Sequence, residues 1–337
     1  MGRIVTIKDV AAKAYVSAST VSYVINNKPN ISDEVKRRVM QAVEELGYRP
    51  NRAARNLVSN CAGQIGLYAT SLEFLKHSIF FSEIAASILE ECSGTIYNLV
   101  VKASDNQDGF WADLPSGEVD GAILICPTGD EEYAQRIISS GIPIVLIGRP
   151  GTNAELINYV DNDNVSISYH MTKYLLQLGH KRIGLLAGPG NYTVSLDREL
   201  GYKMALKEAQ IEINPQYIQF SNYGIIDEMQ FVKNAILADG VTALLTADDT
   251  LAVSAVNTVF ACGLSVPGDI SVVCLSETYF SQNYRPKITG VYPNSSKLGR
   301  IASRKLIDLI DKRLIRPSPS IVDYTVNIRE SCLQKPK

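Results

Sequence analysis

The spacing of apolar positions changes character once along this chain. From Thr6 to Leu46 they recur three and four apart, the spacing of helices that bury one face. Thr6 stands as an N-cap with Asp9 three residues on, able to close a capping-box-like arrangement. Ile7, Val10, Ala11 and Ala14 share a face, and the pattern breaks at Tyr15-Val16. Ser17 then caps a second helix, Ala18 to about Asn26, with Val21, Val24 and Ile25 inward. Residues 26–30 have loop composition. Ser32 caps a third helix, whose buried stripe is Val35, Val39, Ala42, Val43 and Leu46, and Gly47 is placed to end it in the left-handed region. The stretch from Asn51 to Leu57 offers an Asn cap and about two further turns, too short to be stable alone in water.

From about residue 62 the pattern becomes short apolar strands alternating with helices. Predicted strands are Gln64–Ala69, Thr95–Val101, Gly121–Ile125 and Pro143–Ile147, with helices such as Phe81–Glu91 and Glu131–Ser140 between them. The alternation restarts after about Asp161. Strands Arg182–Ala187, Ala243–Thr246 and Ile270–Leu275 are interleaved with helices Ser166–Leu178, Asp197–Ala209, Asp227–Ala238 and Thr250–Cys262. Repeated strand–helix units mean parallel sheets covered on both faces, and two series mean two similar lobes. Ligands of such sheets bind at the strand carboxyl ends, so two facing lobes make a cleft that hinge motion can close.

Composition narrows the possibilities. Of 33 Lys and Arg and 35 Asp and Glu, residues 1–60 hold 10 and 5, leaving 23 and 30 for the rest. A basic head on an acidic body places polyanion binding on the head. No apolar run reaches membrane-spanning length, and MGRIVTIKDV has no signal-peptide h-region, so the expected location is cytoplasmic with no membrane partner. Six cysteines have no C-x-x-C pair and three histidines stand alone, so no metal site, cofactor or disulfide framework is expected. No Gly-x-Ser-x-Gly elbow or catalytic set appears, so no catalytic residues are expected and the chain does not read as an enzyme.

Helix, short turn, helix is the helix-turn-helix pattern. The outward face of its second helix carries Ala18, Ser19, Ser22, Tyr23 and Asn26, short or polar groups suited to a major groove. Arg52 and Arg55 favour phosphates, and Leu57 has no evident core of its own. A paired short helix that pushes a leucine into a minor-groove step fits these facts.

The run TIKDVAAKAYVSASTVSYVINNKPNISDEVKRRVMQAVEELGYRPNRAARNL resembles the head of the lactose-repressor/galactose-repressor (LacI/GalR) family of transcription regulators. Further on, VDGAILI, LLQLGHKRIGLLAG, DRELGY, TALLTADDTLAVSAV, VPGDISVV and the final Ile328-Arg329-Glu330-Ser331 resemble the family at matching places. The resemblance implies an α/β chain with an N-terminal helix-turn-helix head and a two-lobed periplasmic-binding-protein-like body with parallel sheets. It implies a head at residues 1–50, a hinge helix and linker at 51–60, and an effector-binding and dimerisation body at 61–337. Lobe 1 is expected at about 61–160 plus 291–320 and lobe 2 at about 161–290 plus 321–337, with crossovers near Asp161, Gly290 and Ile321. By resemblance Ala18, Ser19 and Tyr23 read bases, and Thr6, Ser17, Thr20, Ser22, Asn26, Tyr48 and Asn51 hold or position phosphates. Arg52 adds a phosphate contact, and Ala54 and Leu57 fall at the minor-groove positions.

In the body, Arg198 precedes Glu199-Leu200-Gly201-Tyr202 on a helix that follows a strand. Its guanidinium could bind vicinal hydroxyls or a carboxylate, or form a surface ion pair with Asp197 or Glu199; the resemblance favours the ligand. Asp248 and Asp249 begin a helix, where one carboxylate serves as a cap; by resemblance Asp248 faces the ligand. The family's usual glycine, aromatic and carboxylate are replaced by Cys274-Leu275-Ser276-Glu277. Either Glu277 takes over from Ser276, or the ligand differs, or the response is weak. Ser71 and Phe81 are assigned to the first lobe's side of the cleft, and Trp111 is expected to cover a helix–loop surface. Residues 159–164 resemble maltose-type regulators of Gram-positive bacteria.

The expected partners are a near-palindromic double-stranded DNA operator, a small-molecule effector of the sugar class, and a second copy of the chain. The expected activity is repression of carbohydrate-utilisation genes, the alternative being a regulator that uses a phosphorylated carrier protein or a purine as corepressor. Where the family usually has Arg after Thr-Val-Ser, this chain has Tyr23. Arginine binds guanine bidentately and tyrosine does not. Selection of operators from random duplexes will therefore yield a consensus without the family's arginine-read guanine at that step; recovery of the usual consensus unchanged would refute this.

Overall fold

A computed structural model describes residues 5–25, 31–48, 61–69, 72–103, 111, 114–221, 225–314 and 316–335. They form two compact units, residues 1–63 and 64–337.

The first unit holds α1 (Ile7–Ala14), α2 (Ala18–Ile25) and α3 (Asp33–Leu46). Its termini follow local chemistry. The Asp9 carboxylate accepts the Thr6 backbone N–H at 2.8 Å and the Thr6 hydroxyl at 2.7 Å. Ser17 Oγ accepts the Thr20 N–H at 3.1 Å, and Ser32 caps α3. Gly47 ends α3 at φ 60°, a backbone conformation that glycine adopts freely. Val10, Ala14, Val21, Val24, Val39, Ala42 and Tyr48 pack into a small core, and Lys13 ties α1 to Glu45 of α3 at 2.6 Å. Tyr15 closes α1 at φ 54° with 88% of its surface exposed. A bulky residue in the left-handed region costs about 1–2 kcal/mol, so the head carries strain in its tight turn.

The second unit contains two six-stranded sheets of matching order. The first uses β1 (Gln64–Ala69), β2 (Asn98–Ala103), β3 (Gly121–Ile125), β4 (Ile144–Ile147), β5 (Tyr159–Asp161) and β11 (Ser320–Ile321), ordered 11-5-4-3-1-2. The second uses β6 (Ile183–Ala187), β7 (Ile218–Phe220), β8 (Ala243–Thr246), β9 (Ser271–Cys274), β10 (Thr289–Tyr292) and β12 (Thr325–Asn327), ordered 12-10-9-8-6-7. All neighbours are parallel except β10 and β12. Residues of β3, β4, β6, β8 and β9 are buried throughout, because helices cover both faces of a parallel sheet.

The covering helices of the first sheet are α4 (Leu72–His77), α5 (Ile79–Cys92), α6 (Glu131–Ser139) and, from far along the chain, α12 (Ser295–Ile310). Those of the second are α7 (Asn164–Gln177), α8 (Thr193–Glu208), α9 (Ile225–Leu237), α10 (Asp249–Ala261) and α11 (Tyr279–Asn283). The chain passes between the sheets after β5, between β10 and α12, and between β11 and β12. At Gly201 a Cβ would lie 2.1 Å from the Val165 carbonyl oxygen, so glycine there lets α8 press against α7. Next to it, buried Tyr202 donates its hydroxyl to the Ile183 carbonyl at 2.7 Å, fixing α8 to β6.

The strand expected at Thr95–Val101 runs instead from Asn98 to Ala103. The Thr95 hydroxyl donates to the Cys92 carbonyl and accepts the Tyr97 N–H, a local turn that competes with pairing. Helix α8 begins at Thr193, four residues before the expected start, because its first turn is docked on Pro127 and not marked by a capping side chain.

Candidate functional site

In the head, Thr6, Ser17, Ser19 and Tyr23 are exposed, while Ala18, Thr20 and Ser22 are half-buried. Ser17 Oγ lies 2.7 Å from Ser19 Oγ and 2.8 Å from Thr20 Oγ1, a hydroxyl cluster at the start of α2. Ala18, Ser19, Ser22 and Tyr23 share one helical face, and Tyr23 keeps 52% of its surface open. A short-side-chain helix presented this way suits direct readout in a major groove. Tyr48, assigned to positioning phosphates, is packed into the head core; its ring has a structural role that the sequence did not signal.

In the body, the turns that follow the strands of both sheets face one another across a cleft. It has two adjoining compartments, of about 360 Å³ and about 100 Å³, both bordered by Phe74, Ser78, Phe80, Asp248 and Ser276. The smaller also reaches Cys126, Asp161, Asn164, Ser195 and Arg198. Arg198 is 8% exposed and donates from Nη1 to the Ala247 carbonyl at 3.0 Å. Its Nε, and the hydroxyl of Ser195, are buried with no hydrogen-bond partner. Unmet donors cost free energy in a buried place, so these two atoms are the unsatisfied groups of this wall. The acidic neighbours of Arg198 are spent elsewhere: Asp197 on Arg149 at 2.6 Å and Glu199 on Lys203 at 2.6 Å.

Asp248 caps α10 by accepting the Leu251 N–H at 3.0 Å, and it also borders both compartments. The Asp249 carboxylate accepts the N–H and hydroxyl of Thr278; burial pushes its carboxyl up to about 6.

A profile for bacterial regulatory proteins of the lacI family matches residues 6–51, and one for a periplasmic binding protein-like domain matches residues 172–332. The probable HTH-type transcriptional repressor ExuR of Bacillus subtilis (strain 168) is 30% identical over 329 residues, 97% of this chain and 98% of its own length. The chain belongs to the lacI family. Two solved structures of such regulators superpose along nearly the whole length. The CelR–cellobiose complex is 27% identical with a TM-score of 0.75, covering 97% of this chain and 99% of its own. The lac repressor dimer bound to operator and the anti-inducer ONPF is 25% identical with a TM-score of 0.83, covering 98% and 100%. This lacI-family protein is thus a DNA-binding transcriptional regulator with a ligand-binding type of body. No helix among the described residues is long and apolar enough to cross a membrane, and no group of three metal-ligating side chains occurs among them.

Two expected cleft residues fall elsewhere. Glu277 is fully buried and is held by both Nη atoms of Arg329 and by Asn327, so it does not border the cleft; Ser276 does. Phe81 is 4% exposed, its ring edge-on to Phe74 at 6.2 Å, and it backs the wall that Phe74 and Phe80 present. One step along a helix turns a side chain by about 100°, enough to exchange cleft for core. Trp111 packs edge-on to Tyr133 at 5.7 Å, away from the cleft. Asn26, Asn51, Arg52, Ala54, Leu57 and Ser71 lie outside the described residues. Ser195, Asn164, Cys126 and Asp161 were not anticipated; the rule that ligands sit past strand ends pointed to Cys126, directly after β3, and to the β5–α7 junction that holds Asp161 and Asn164.

Burial pushes the Asp161 carboxyl up to about 7, opposed by N–H donors of Arg149 at 2.8 Å and Asn162 at 2.7 Å. An unfolded aspartate ionises near 3.8. Between these values the folded state holds a proton that the unfolded state has released, so this group's contribution to stability falls as pH rises through the window. Melting temperature will therefore drop more steeply from pH 5 to pH 7.5 in the parent protein than in Asp161→Asn. Parallel profiles would show that Asp161 is not the titrating group.

Proposed function

We propose that this regulator represses carbohydrate-utilisation genes and that a sugar closing the cleft changes its operator affinity. The observation that carries the reading is the pair of unpartnered buried donors, Arg198 Nε and Ser195 Oγ, beside the Asp248 carboxylate. Two donor residues and an acceptor residue lining the smaller, mainly apolar compartment suit vicinal hydroxyls. The cellobiose in the CelR complex supports the same class of ligand. A purine corepressor is the second reading, because Phe74, Phe80 and Phe280 offer flat apolar surface in the larger compartment, and the relative PurR of Haemophilus influenzae (strain PittEE) is 30% identical over 90% of this chain.

In this reading residues 1–50 are the DNA-binding head, 51–60 the hinge and 61–337 the effector body. Two copies bind a near-palindromic operator with half-sites about one turn apart, the lac repressor dimer on its operator being the supporting precedent. Ala18, Ser19 and Tyr23 read bases; Thr6, Ser17, Thr20, Ser22, Asn26, Tyr48, Asn51 and Arg52 hold the backbone; Ala54 and Leu57 enter the minor groove. The protein acts in the cytoplasm and catalyses no reaction.

A thermal-shift screen of the full chain against sugars, sugar acids and purines tests the reading. A ligand at one hundred times its Kd stabilises the folded state by about 2.7 kcal/mol. A sugar will raise the melting temperature, and Arg198→Ala will remove the shift. A shift with purines alone would select the second reading, and no shift at millimolar levels would overturn both.

A further inference from the structure

The two lobes meet along one side of the cleft in a seam of backbone bonds. The Gly129 N–H donates to the Asn191 carbonyl at 2.9 Å and the Thr193 N–H to the Pro127 carbonyl at 3.2 Å, next to an antiparallel bridge between Thr128 and Tyr192. The Thr193 hydroxyl donates to the Arg149 carbonyl at 2.6 Å. At the end of this neutral seam stands an ion pair: Arg149, after β4 of the first sheet, donates Nη2 and Nε to the two oxygens of Asp197 on α8, at 2.6 and 3.2 Å. Asp197 immediately precedes Arg198, the residue with the unmet donor in the cleft.

We infer that the Arg149–Asp197 pair is a positioning latch, which holds the lobes closed on the Arg198 side of the cleft and opens that side when it is broken.

The asymmetry of burial is the reason. The Asp197 side chain is 9% exposed and Arg149 is 38% exposed. With Arg149 in place, Asp197 has two charge-assisted bonds in the bidentate geometry that suits guanidinium and carboxylate. Without it, a carboxylate nine-tenths buried has lost its counter-charge. Burying an unpaired charge is strongly unfavourable, and parting the lobes would admit water to it. Parting the seam costs neutral hydrogen bonds, those of the backbone and of the Thr193 hydroxyl, that water can replace. Arg149 is also well anchored, since its own N–H is held by Asp161 at the first crossover between lobes. The latch therefore links the crossover, the seam and the start of α8, where Arg198 is presented.

The protein carries its own reporter. Cys126 borders the smaller compartment, and burial pushes its thiol up to about 12. The thiolate is the reactive species, so a closed cleft keeps Cys126 slow towards maleimides. Arg198, Asp161 and Asp248 act on this thiol directly, whereas Asp197 reaches it through Asp161, and loss of the Asp197 charge would favour an ionised Asp161 and a slower thiol. Faster labelling in Asp197→Asn therefore reports opening, because the charge effect alone acts in the opposite direction.

The inference uses the cleft assigned above, but its test needs no effector, so the latch and the sugar reading can fail separately. Full-length protein is treated with N-ethylmaleimide, and labelling of each cysteine is followed by peptide mass. In Asp197→Asn and in Arg149→Gln, Cys126 will label about ten-fold faster, within the usual range of conformational couplings. Buried Cys92 and Cys274 will keep their parent rates, and Asp197→Glu, which retains the charge, will stay close to the parent. Unchanged labelling of Cys126 in both neutral variants would overturn the latch. So would acceleration of all three cysteines together, which would mean that the pair merely supports the fold.

Discussion

Parallel pairing leaves a sheet one place to present chemistry. Crossover helices must cover both faces, so strand interiors become uniformly apolar and only the turns past the carboxyl ends are free to carry polar groups. In this protein the constraint acts twice, in sheets of the same strand order. Because the chain crosses between them three times, the two sets of turns are held face to face. Cys126, Asp248 and Ser276 stand just beyond strand ends, Asp161 is the last residue of β5, and Ser195 and Arg198 lie on α8, the helix that follows β6; all border the cleft. The apolar sheets provide stability, and the cleft inherits its shape from them.

Within that frame the cleft holds buried charge that is only partly satisfied. Asp161 has three donors and still has its carboxyl raised to about 7 by burial. Arg198 spends one nitrogen on a backbone carbonyl and leaves another without a partner. Such a site is poised to gain from a polar ligand, because the ligand supplies bonds that the closed protein lacks. The charges at its edge are arranged differently. Asp197 is fully engaged by Arg149, and Glu277, one residue past Ser276, is engaged by Arg329. Neighbouring acids are thus divided between holding the walls and bordering the cleft.

The head was legible almost residue by residue, because its helices are ended by local chemistry: Thr6 with Asp9, Ser17 with Thr20, Ser32, and Gly47. The central strands were legible because burial on both faces leaves an unbroken apolar run. Short strands such as β5, β7 and β10 were not, since three or four residues carry too little periodicity and depend on the neighbouring strand. Helix α12 was not among the predicted elements although Leu298, Ala302 and Leu306 recur four apart; what local pattern could not show is that it packs on α5 and β3, some 200 residues earlier. In the cleft, resemblance found Arg198, Asp248 and Ser276. It left open whether Glu277 takes over from Ser276 and put Phe81 on the cleft side; adjacent residues in a turn or helix differ in direction, and only the packed structure shows that both turn away.

The central claim is that the head and the cleft are coupled through differential affinity for two states. Thermodynamic linkage makes the coupling reciprocal, and that reciprocity is directly measurable. Operator affinity of the full-length chain is determined with and without a saturating cleft ligand, and ligand affinity with and without saturating operator duplex, at one salt concentration. The account predicts that the two ratios agree and lie in the range of about 5–150-fold. A ligand that binds through Arg198 yet leaves operator affinity unchanged would contradict it.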